Sequence, residues 1–203
     1  RRYNPLTGEW VLVSPYRSKR PWQGQLESRV EPVSLPYDES CYLCPGNKRS
    51  NGAVNPKYEM SYSFINDFSS LVDSFPDGTV NENDLLIAKS EKGICKVICF
   101  SPRHDLTIPE MKQEDVVSVI RQWVVEYKTL GRQDFINYVQ IFENKGPTMG
   151  CSNPHPHGQI WAQKSIPVEP MKKQVAQSSY FVRKKRTLLF DYLSIELKKN
   201  ERI

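Results

Sequence analysis

Two of the three histidines in this chain flank a single proline, in the run His155-Pro156-His157. The proline ring fixes its own φ and disfavours the helical region for the residue before it. His155, His157 and Gln159 are therefore expected to project from one side of an extended, strand-like segment. Neutral imidazole can act as a nucleophile, a proton carrier or a metal ligand, and an amide can hydrogen-bond an oxyanion without exchanging a proton. The run predicts a chemical site, and Gly158 leaves room for a ligand to approach the backbone.

Apolar periodicity and turn residues predict an α+β fold with a mainly antiparallel sheet and flanking helices. The clearest helix is predicted over 112–130, with Gly131 as its stop signal. Its apolar positions are Val116, Val117, Ile120, Trp123, Val124 and Tyr127. Strands are predicted over 9–14, 58–64, 94–100, 138–143 and 158–163. The last two should form a hairpin-like pair with the histidines at its return, 71–84 a polar connection, and the chain from Glu169 onward a helical tail.

Charge and cysteine content narrow the class of protein. The 28 Lys and Arg residues against 23 Asp and Glu give a net charge of +5. Outside the runs 183–186 and 198–199 the basic residues are spread out, so a nucleic-acid partner is not required. Five cysteines are an odd number and no signal peptide precedes them, which predicts thiols in a reducing, cytoplasmic compartment. No apolar run approaches the ~20 residues of a membrane span, so no membrane partner is expected.

The length of 203 residues predicts a single domain over 1–203 with a core of useful size. The chain starts at Arg1 without a methionine and stops at Ile203, inside a charged helical pattern with no Gly or Pro stop signal. We therefore expect it to be a fragment of a longer protein.

Cys41 and Cys44 have the spacing that lets two thiolates reach one tetrahedral ion. His104 and His155 would complete a Cys₂His₂ set and leave His157 for another task. The intervals are far from those of a zinc finger, so the fold would have to bring the ligands together. A closed site of four ligands would be structural, with zinc fixing the loop that presents His157. The alternative is that both cysteines are ordinary thiols and His104 is a surface or capping residue.

If His155 binds zinc, His157 is the remaining imidazole, beside the hydroxyl of Ser152 and the amide of Gln159. These groups suit a pocket that faces phosphate. A histidine nucleophile attacks phosphorus to form a phosphoramidate, which splits one displacement into two. Its other ring nitrogen should then donate to a backbone carbonyl, so that the attacking nitrogen carries the lone pair. The alternative is that both histidines of the run are zinc ligands or packing residues.

Four segments resemble the galactose-1-phosphate uridylyltransferase family, a branch of the histidine-triad superfamily. They are 1–10 (RRYNPLTGEW), 19–24 (KRPWQG), 144–146 (NKG) and 150–162 (GCSNPHPHGQIWA). The resemblance implies that His157 attacks the α-phosphorus of UDP-glucose, releases glucose 1-phosphate, and holds UMP until galactose 1-phosphate takes it to give UDP-galactose. Ser152 and Gln159 would bind phosphoryl oxygens. Gln in place of the triad's last histidine stabilises the intermediate without activating water against it.

The resemblance also assigns zinc to Cys41, Cys44, His104 and His155. It implies the substrate contacts Arg17, Arg20, Leu43, Phe64, Asn66, Asp67, Phe68, Val97, Glu143, Asn144, Gly150, Ser152 and Gln159. Within this set, 64–68 matches the family's uridine-binding run, and Arg17 and Arg20 match its phosphate-facing basic loop. Taken without the resemblance, Asn66 and Asp67 would be a turn, Val97 a core residue and the arginines a solvated loop.

The chain departs from the family at a second metal site, usually assigned iron. The glutamate of that site falls on Lys173, and no histidine follows His157, so Glu169 alone cannot make it. The family's C-terminal half contributes sugar and phosphate contacts, partly across a homodimer interface, so this N-terminal portion could bind UMP without completing turnover. Two other functions stay open: an adenylyl-sugar phosphorylase of the same superfamily, and a catalytically silent, zinc-stabilised nucleotide-binding module.

Overall fold

A computed structural model of the chain describes residues 1–21, 35–151 and 153–202. Its backbone groups into two compact units. The central unit comprises the described residues between 35 and 165, and the terminal unit comprises 1–21 together with 166–202. That residues 1–203 act as one catalytic domain stays a prediction.

The elements of the described residues follow one another as short strands, one long helix, two further strands and two terminal helices. The strands are β1 (Arg2–Asn4), β2 (Glu9–Val11), β3 (Tyr62–Ile65), β4 (Thr79–Glu82), β5 (Leu86–Lys89), β6 (Gly93–Cys99), β7 (Tyr138–Phe142) and β8 (His157–Gln163). The α-helices are α1 (Gln113–Leu130), α2 (Val168–Lys184) and α3 (Leu188–Lys199). The α+β class is confirmed, and none of these helices is long and apolar enough to span a lipid bilayer.

The central sheet has the order β3-β6-β8-β7, and every neighbouring pair is antiparallel. Its register sets Phe64 opposite Val97, and Val97 opposite Gln159. Residues that oppose one another across antiparallel strands share a face of the sheet. These three side chains therefore form a row on one face. The predicted hairpin-like pair is also confirmed, because β7 and β8 flank the loop that leads into the histidines.

The opposite face of the sheet packs against α1. Ile98 and Ile160 are fully buried there and join a core cluster with Val119 and Leu130 of the helix. Burying branched side chains from both layers removes apolar surface from water and fixes the helix across the sheet. The face that carries the row of Phe64, Val97 and Gln159 is thereby left for other contacts.

The predicted extent of α1 is correct, but its predicted buried face is partly wrong. Val116 and Trp123 pack against the core, whereas four of the other positions are exposed: Val117, Ile120, Val124 and Tyr127. Glu126 lies on the buried side instead, because Lys96 of β6 pairs with it at 2.6 Å and the hydroxyl of Ser63 donates to it. A buried carboxylate becomes tolerable once it is paired and hydrogen-bonded. The hydrophobic periodicity of α1 does not reveal a partner on another strand, so it could not predict that Glu126 is buried.

The prediction of a polar connection over 71–84 is wrong, because β4 lies within it and pairs with β5. Asn83 and Asp84 adopt φ values of 56° and 59° in the intervening loop. Asn and Asp are the residues that best tolerate this left-handed conformation, so the Asn-Asp pair was an available turn signal. Strand β1 was also missed, and β2 is shorter than the predicted strand over 9–14.

The terminal unit contains the β1–β2 hairpin and the two C-terminal helices. Gly8 closes the hairpin with a φ of 75°, which a residue without Cβ adopts at little cost. Within this unit Lys172 of α2 bonds Glu9 of β2 at 3.0 Å. The predicted helical tail is confirmed, but it breaks at Lys185, which is left-handed, before α3 begins.

Candidate functional site

Four buried side chains from three separate loops converge beside the central sheet. Cys41 and Cys44 lie in the loop before β3, His104 follows β6, and His155 lies two residues before β8. Their ligand atoms all lie within 4.8 Å of one another. Sγ of Cys44 is 3.6 Å from Nδ1 of His104 and 3.5 Å from Nδ1 of His155. The predicted convergence through the fold is therefore present, and the cluster has the composition of a metal site.

The hydrogen bonds of His155 test whether the cluster fits a metal ion. Its Nε2 lies 2.9 Å from the carbonyl oxygen of Ser101. Because a carbonyl can only accept, Nε2 carries the proton and Nδ1 presents its lone pair toward Cys44. Burial lowers the pKa of His155 to about 4, so the ring is neutral at physiological pH. Burial raises the pKa of Cys44 to about 11, and a bound cation would stabilise the thiolate that burial disfavours. The donor set fits a tetrahedral ion.

Two residues behind the cluster hold its ligands in place. The amide of Asn153 donates to Sγ of Cys41 at 3.5 Å, and its oxygen accepts the backbone N–H of His155 at 2.9 Å. Tyr58 donates its hydroxyl to the carbonyl of Leu43 at 2.6 Å, and the same hydroxyl lies 3.1 Å from Nε2 of His155. Such outer partners orient ligands and tune them. Neither residue was predicted, since Tyr58 and the Cys41 contact of Asn153 are far in sequence from the ligands; only the bond of Asn153 to His155 is local.

A pocket lies on the sheet face that α1 leaves open. Most of the predicted substrate contacts line it: Leu43, Phe64, Asn66, Asp67, Phe68, Val97, Asn144, Gly150 and Gln159. His157 lines the same pocket. Four further lining residues were not predicted as contacts: Tyr42, Ser50, Cys151 and Asn153. Gly158, which was expected to lie near a ligand, lines the pocket too. The wall is therefore built from the row of sheet residues, the loops before and after β3, and the loop before β8.

One hydrogen bond fixes the orientation of the His157 ring. Its Nδ1 lies 2.7 Å from the carbonyl oxygen of His155, so Nδ1 carries the proton and Nε2 keeps the lone pair. The predicted bond to a backbone carbonyl is present. His155 turns into the buried cluster instead of the pocket, because the alternation of β8 begins only at His157. The expectation that both imidazoles share one site with Gln159 is therefore wrong for His155.

The amide of Gln159 is oriented as well. The indole N–H of Trp161, which can only donate, lies 3.1 Å from Oε1 of Gln159. This contact fixes which end of the amide is the oxygen and leaves the Nε2 hydrogens to donate. The side chain next to His157 can therefore stabilise an oxyanion. Trp161 is two residues away on the same strand, so alternation could have identified it as a neighbour.

Four predicted contacts are not placed at the pocket by the structure. Arg17 and Arg20 belong to the terminal unit, where both are exposed and Arg17 lies in the 3₁₀ helix Pro15–Lys19. Glu143 is exposed just after β7 and is not among the described residues that line the pocket. Ser152 lies outside the described residues. The roles of all four stay predictions.

Comparisons with known proteins identify the family of the chain. Residues 1–167 match the family described as "Galactose-1-phosphate uridyl transferase, N-terminal domain". The whole chain is 48% identical to a galactose-1-phosphate uridylyltransferase of Saccharomyces cerevisiae and 46% identical to one of Haemophilus influenzae. It spans 59% and 58% of the lengths of these two relatives.

Solved structures show the same fold at lower identity. An Arabidopsis thaliana ADP-glucose phosphorylase with bound ADP-glucose superposes with a TM-score of 0.66 at 21% identity, over 91% of this chain and 55% of that one. A structure described as a uridylyltransferase gives a TM-score of 0.64 at 21% identity, over 92% of this chain and 53% of the other. The predicted histidine-triad-like fold is thus confirmed.

Proposed function

The chain belongs to the galactose-1-phosphate uridyl transferase family, and from that premise we propose that it carries the nucleotidyl-transfer centre of an enzyme that moves UMP from UDP-glucose to galactose 1-phosphate. The observation that carries the proposal is the orientation of His157. Its Nδ1 proton is held by the carbonyl of His155, which leaves the Nε2 lone pair on a residue that lines the pocket. An imidazole fixed in this tautomer is a ready nucleophile.

In the first step, Nε2 of His157 attacks the α-phosphorus of UDP-glucose. An N–P bond forms, the P–O bond to glucose 1-phosphate breaks, and that phosphate leaves with the electron pair. The Nδ1 proton stays on the ring, so the uridylylated imidazole is cationic and its charge is stabilised by the carbonyl of His155 at 2.7 Å. In the second step a phosphate oxygen of galactose 1-phosphate attacks the same phosphorus, and the N–P bond breaks to give UDP-galactose.

Gln159 supports both steps by donating amide hydrogens to the phosphoryl oxygens. Because an amide does not surrender a proton, it stabilises developing charge without activating water, which a transferase must keep from the intermediate. Ser152 is proposed to donate to the same oxygens, and Arg17 and Arg20 to neutralise phosphate charge. The residues proposed to bind the remaining parts of UDP-glucose are Leu43, Phe64, Asn66, Asp67, Phe68, Val97, Glu143, Asn144 and Gly150.

Cys41, Cys44, His104 and His155 are proposed to hold zinc. The donor set is closed at four ligands, which is typical of structural and not of catalytic zinc. Zinc there would supply a cross-link between the three loops that carry the ligands. Since His155 lies two residues before His157, the same ligand set fixes the segment from which the nucleophile projects.

The complete reaction is proposed for the full-length protein, because the chain spans less than two thirds of its relatives. We propose that the remaining length supplies contacts to the sugar 1-phosphates and that the full-length protein forms a cytoplasmic homodimer.

Incubation of the full-length protein with UDP-glucose labelled at the α-phosphorus tests the proposal. The expected result is an acid-labile label on His157 that galactose 1-phosphate discharges as UDP-galactose. Labelled ADP-glucose serves as the comparison. Stronger labelling by ADP-glucose would favour an adenylyl-sugar phosphorylase, and tight UMP binding with no covalent label would favour a silent nucleotide-binding module.

A further inference from the structure

Arg49 is a nearly buried cation directly behind the pocket. Its side chain is 12% exposed, and its Cζ lies 4.1 Å from the centre of the Phe64 ring. Its Nη1 lies 3.7 Å from Oδ1 of Asp67, whose own side chain is 8% exposed. Phe64 and Asp67 both line the pocket, while Arg49 is not among the described residues that do so. Phe64 and Asp67 are therefore the contacts that connect Arg49 to the pocket.

Burying the guanidinium of Arg49 costs free energy, and the backbone fixes the residue in this position. Its Nε and Nη1 atoms are buried with no hydrogen-bond partner among the described residues. Leaving guanidinium donors unpaired away from water is unfavourable, so the aromatic face and the carboxylate are what offset the cost. A tight turn fixes the residue: Arg49 N–H donates to the carbonyl of Ala53 at 2.7 Å, and Gly52 adopts a φ of 90°.

Asp67 is held by two groups. Asn51 donates its amide to Oδ1 of Asp67 at 2.8 Å, and Arg49 faces the same oxygen. Among the described residues both contacts go to Oδ1, so Oδ2 is the oxygen that can accept from a ligand. A carboxylate accepts from hydroxyl groups and repels phosphate. The hydroxyls of a ribose are therefore the part of a nucleotide that Asp67 suits.

Phe64 links Arg49 to the metal-site cluster. Its ring stacks on Tyr62 at 5.7 Å, and Tyr62 stacks on Tyr58 at 5.2 Å. The hydroxyl of Tyr58 reaches His155. The Arg49 guanidinium thus contacts one member of a continuous row of rings, and its planar shape suits stacking on a ring in a way that an ammonium does not.

We propose that Arg49 is a positioning residue for the nucleoside end of the substrate. It holds the ring of Phe64 against the base and ribose, and it aims the carboxylate of Asp67 at a ribose hydroxyl. The inference rests on the proposed function, since it requires the pocket to take a ribonucleotide. It gives a specific role to a cation that neither contacts the pocket nor belongs to the metal cluster.

The test compares three ligands and two variants by calorimetry on the full-length, metal-loaded protein. The ligands are UMP and its 2′-deoxy and 3′-deoxy analogues, and the variants are Arg49→Met and Arg49→Lys. Wild type should prefer UMP over at least one analogue. R49M should bind UMP about tenfold more weakly, with a smaller loss for that analogue, so the preference shrinks. R49K should fall between, because it keeps the charge and loses the planar contact.

The matched control is Arg103→Met. Arg103 pairs with Asp105 at 2.6 Å, is half exposed and does not line the pocket among the described residues, so its loss should leave all three affinities unchanged. If R49M does not fold, R49K carries the same test with a smaller expected shift in the same direction.

The outcomes separate the inference from the proposed function. UMP binding with an unchanged preference in both variants would overturn the role of Arg49 and leave the proposed function intact. An equal loss for UMP and its analogues would also overturn it, because Arg49 would then not act through the contact of Asp67 with a ribose hydroxyl. A wild-type protein that does not bind UMP and takes no uridylyl label would overturn the proposed function and the inference with it.

Discussion

His155 and His157 are separated by one proline, yet they present opposite ring nitrogens to two different sites. In the buried cluster, Nε2 of His155 donates to the carbonyl of Ser101 and leaves Nδ1 beside Cys44. In the pocket, Nδ1 of His157 donates to the carbonyl of His155 and leaves Nε2 with the lone pair. The backbone carbonyl that each imidazole bonds therefore decides which ring nitrogen keeps its lone pair.

The two sites also differ in how far their side chains are exposed to water. The cluster excludes water, since His155 and Cys44 are almost fully buried. The pocket wall is half-buried at His157 and Gln159, which leaves both side chains accessible to a ligand. A closed site favours a permanent ion and an open one favours exchangeable ligands. The hydrogen bond from Nδ1 of His157 to the carbonyl of His155 joins the two sites, for which we propose a structural and a reactive role.

Replacing His157 with glycine should have the largest effect on the reaction. We expect uridylyl transfer to fall on the order of 10⁴-fold or more, because the proposed nucleophile is lost. Metal content and melting temperature should stay close to those of wild type, since His157 is outside the cluster. Isotope labelling, metal analysis and thermal unfolding check the three quantities. A covalent label that survives in H157G would contradict the division of roles.

Replacing His155 with asparagine should instead remove the metal and lower stability. We expect the free energy of unfolding to drop by about 3 kcal/mol or more, because a ligand is lost from a buried site that joins three loops. Activity should fall as a consequence of the altered loop. Metal analysis with calorimetric unfolding measures the effect, and chelation should shift the melting temperature of wild type but not of H155N. An unchanged metal content would remove His155 from the ligand set.

Metal binding should release protons and weaken in acid. Burial raises the pKa of Cys44 to about 11, so its thiol is protonated at pH 7 in the metal-free protein and must lose that proton to bind. His155, with its pKa lowered to about 4, is already neutral and contributes no proton. Affinity should therefore fall by about tenfold or more per pH unit as the pH is lowered around neutrality.

Calorimetry of zinc binding in buffers of different ionisation enthalpy counts the released protons. H157G should release the same number as wild type, because His157 belongs to the other site. A difference between the two would show that His157 takes part in metal binding.

Replacing Asn153 with alanine should have the smallest effect of these changes, and it should affect both the metal cluster and the pocket. Its side chain bonds Cys41 and the backbone of His155, and it also lines the pocket. We expect metal affinity to fall about tenfold, as for other outer partners of metal ligands, with a smaller loss of transfer rate. Asn137→Ala is the matched control, since Asn137 bonds the carbonyl of Lys164 at 2.8 Å. Equal metal affinities in both variants would show that Asn153 does not support the cluster.

The ligand set was predictable because cysteine and histidine are scarce in this chain. Cys41 and Cys44 have a metal-binding spacing, and few histidines were left to complete the set. Tyr58, Arg49 and the contact of Asn153 with Cys41 were not predictable, since these contacts join residues that are distant in sequence. The extent of the helix over 113–130 was predictable, but the face that it buries was not. Glu126 lies on that face because it pairs with Lys96 of β6.

By itself, the sequence determined which side chains are available for chemistry, and it predicted the strand that follows Pro156, because residue type and strand periodicity are local properties. The tertiary structure alone decided which nitrogen of each histidine faces which site. That choice depends on hydrogen-bond acceptors that the fold brings into place, among them the carbonyl of Ser101, which lies 54 residues from His155. It also depends on burial, which lowers the pKa of His155 and keeps its ring neutral among the cysteines.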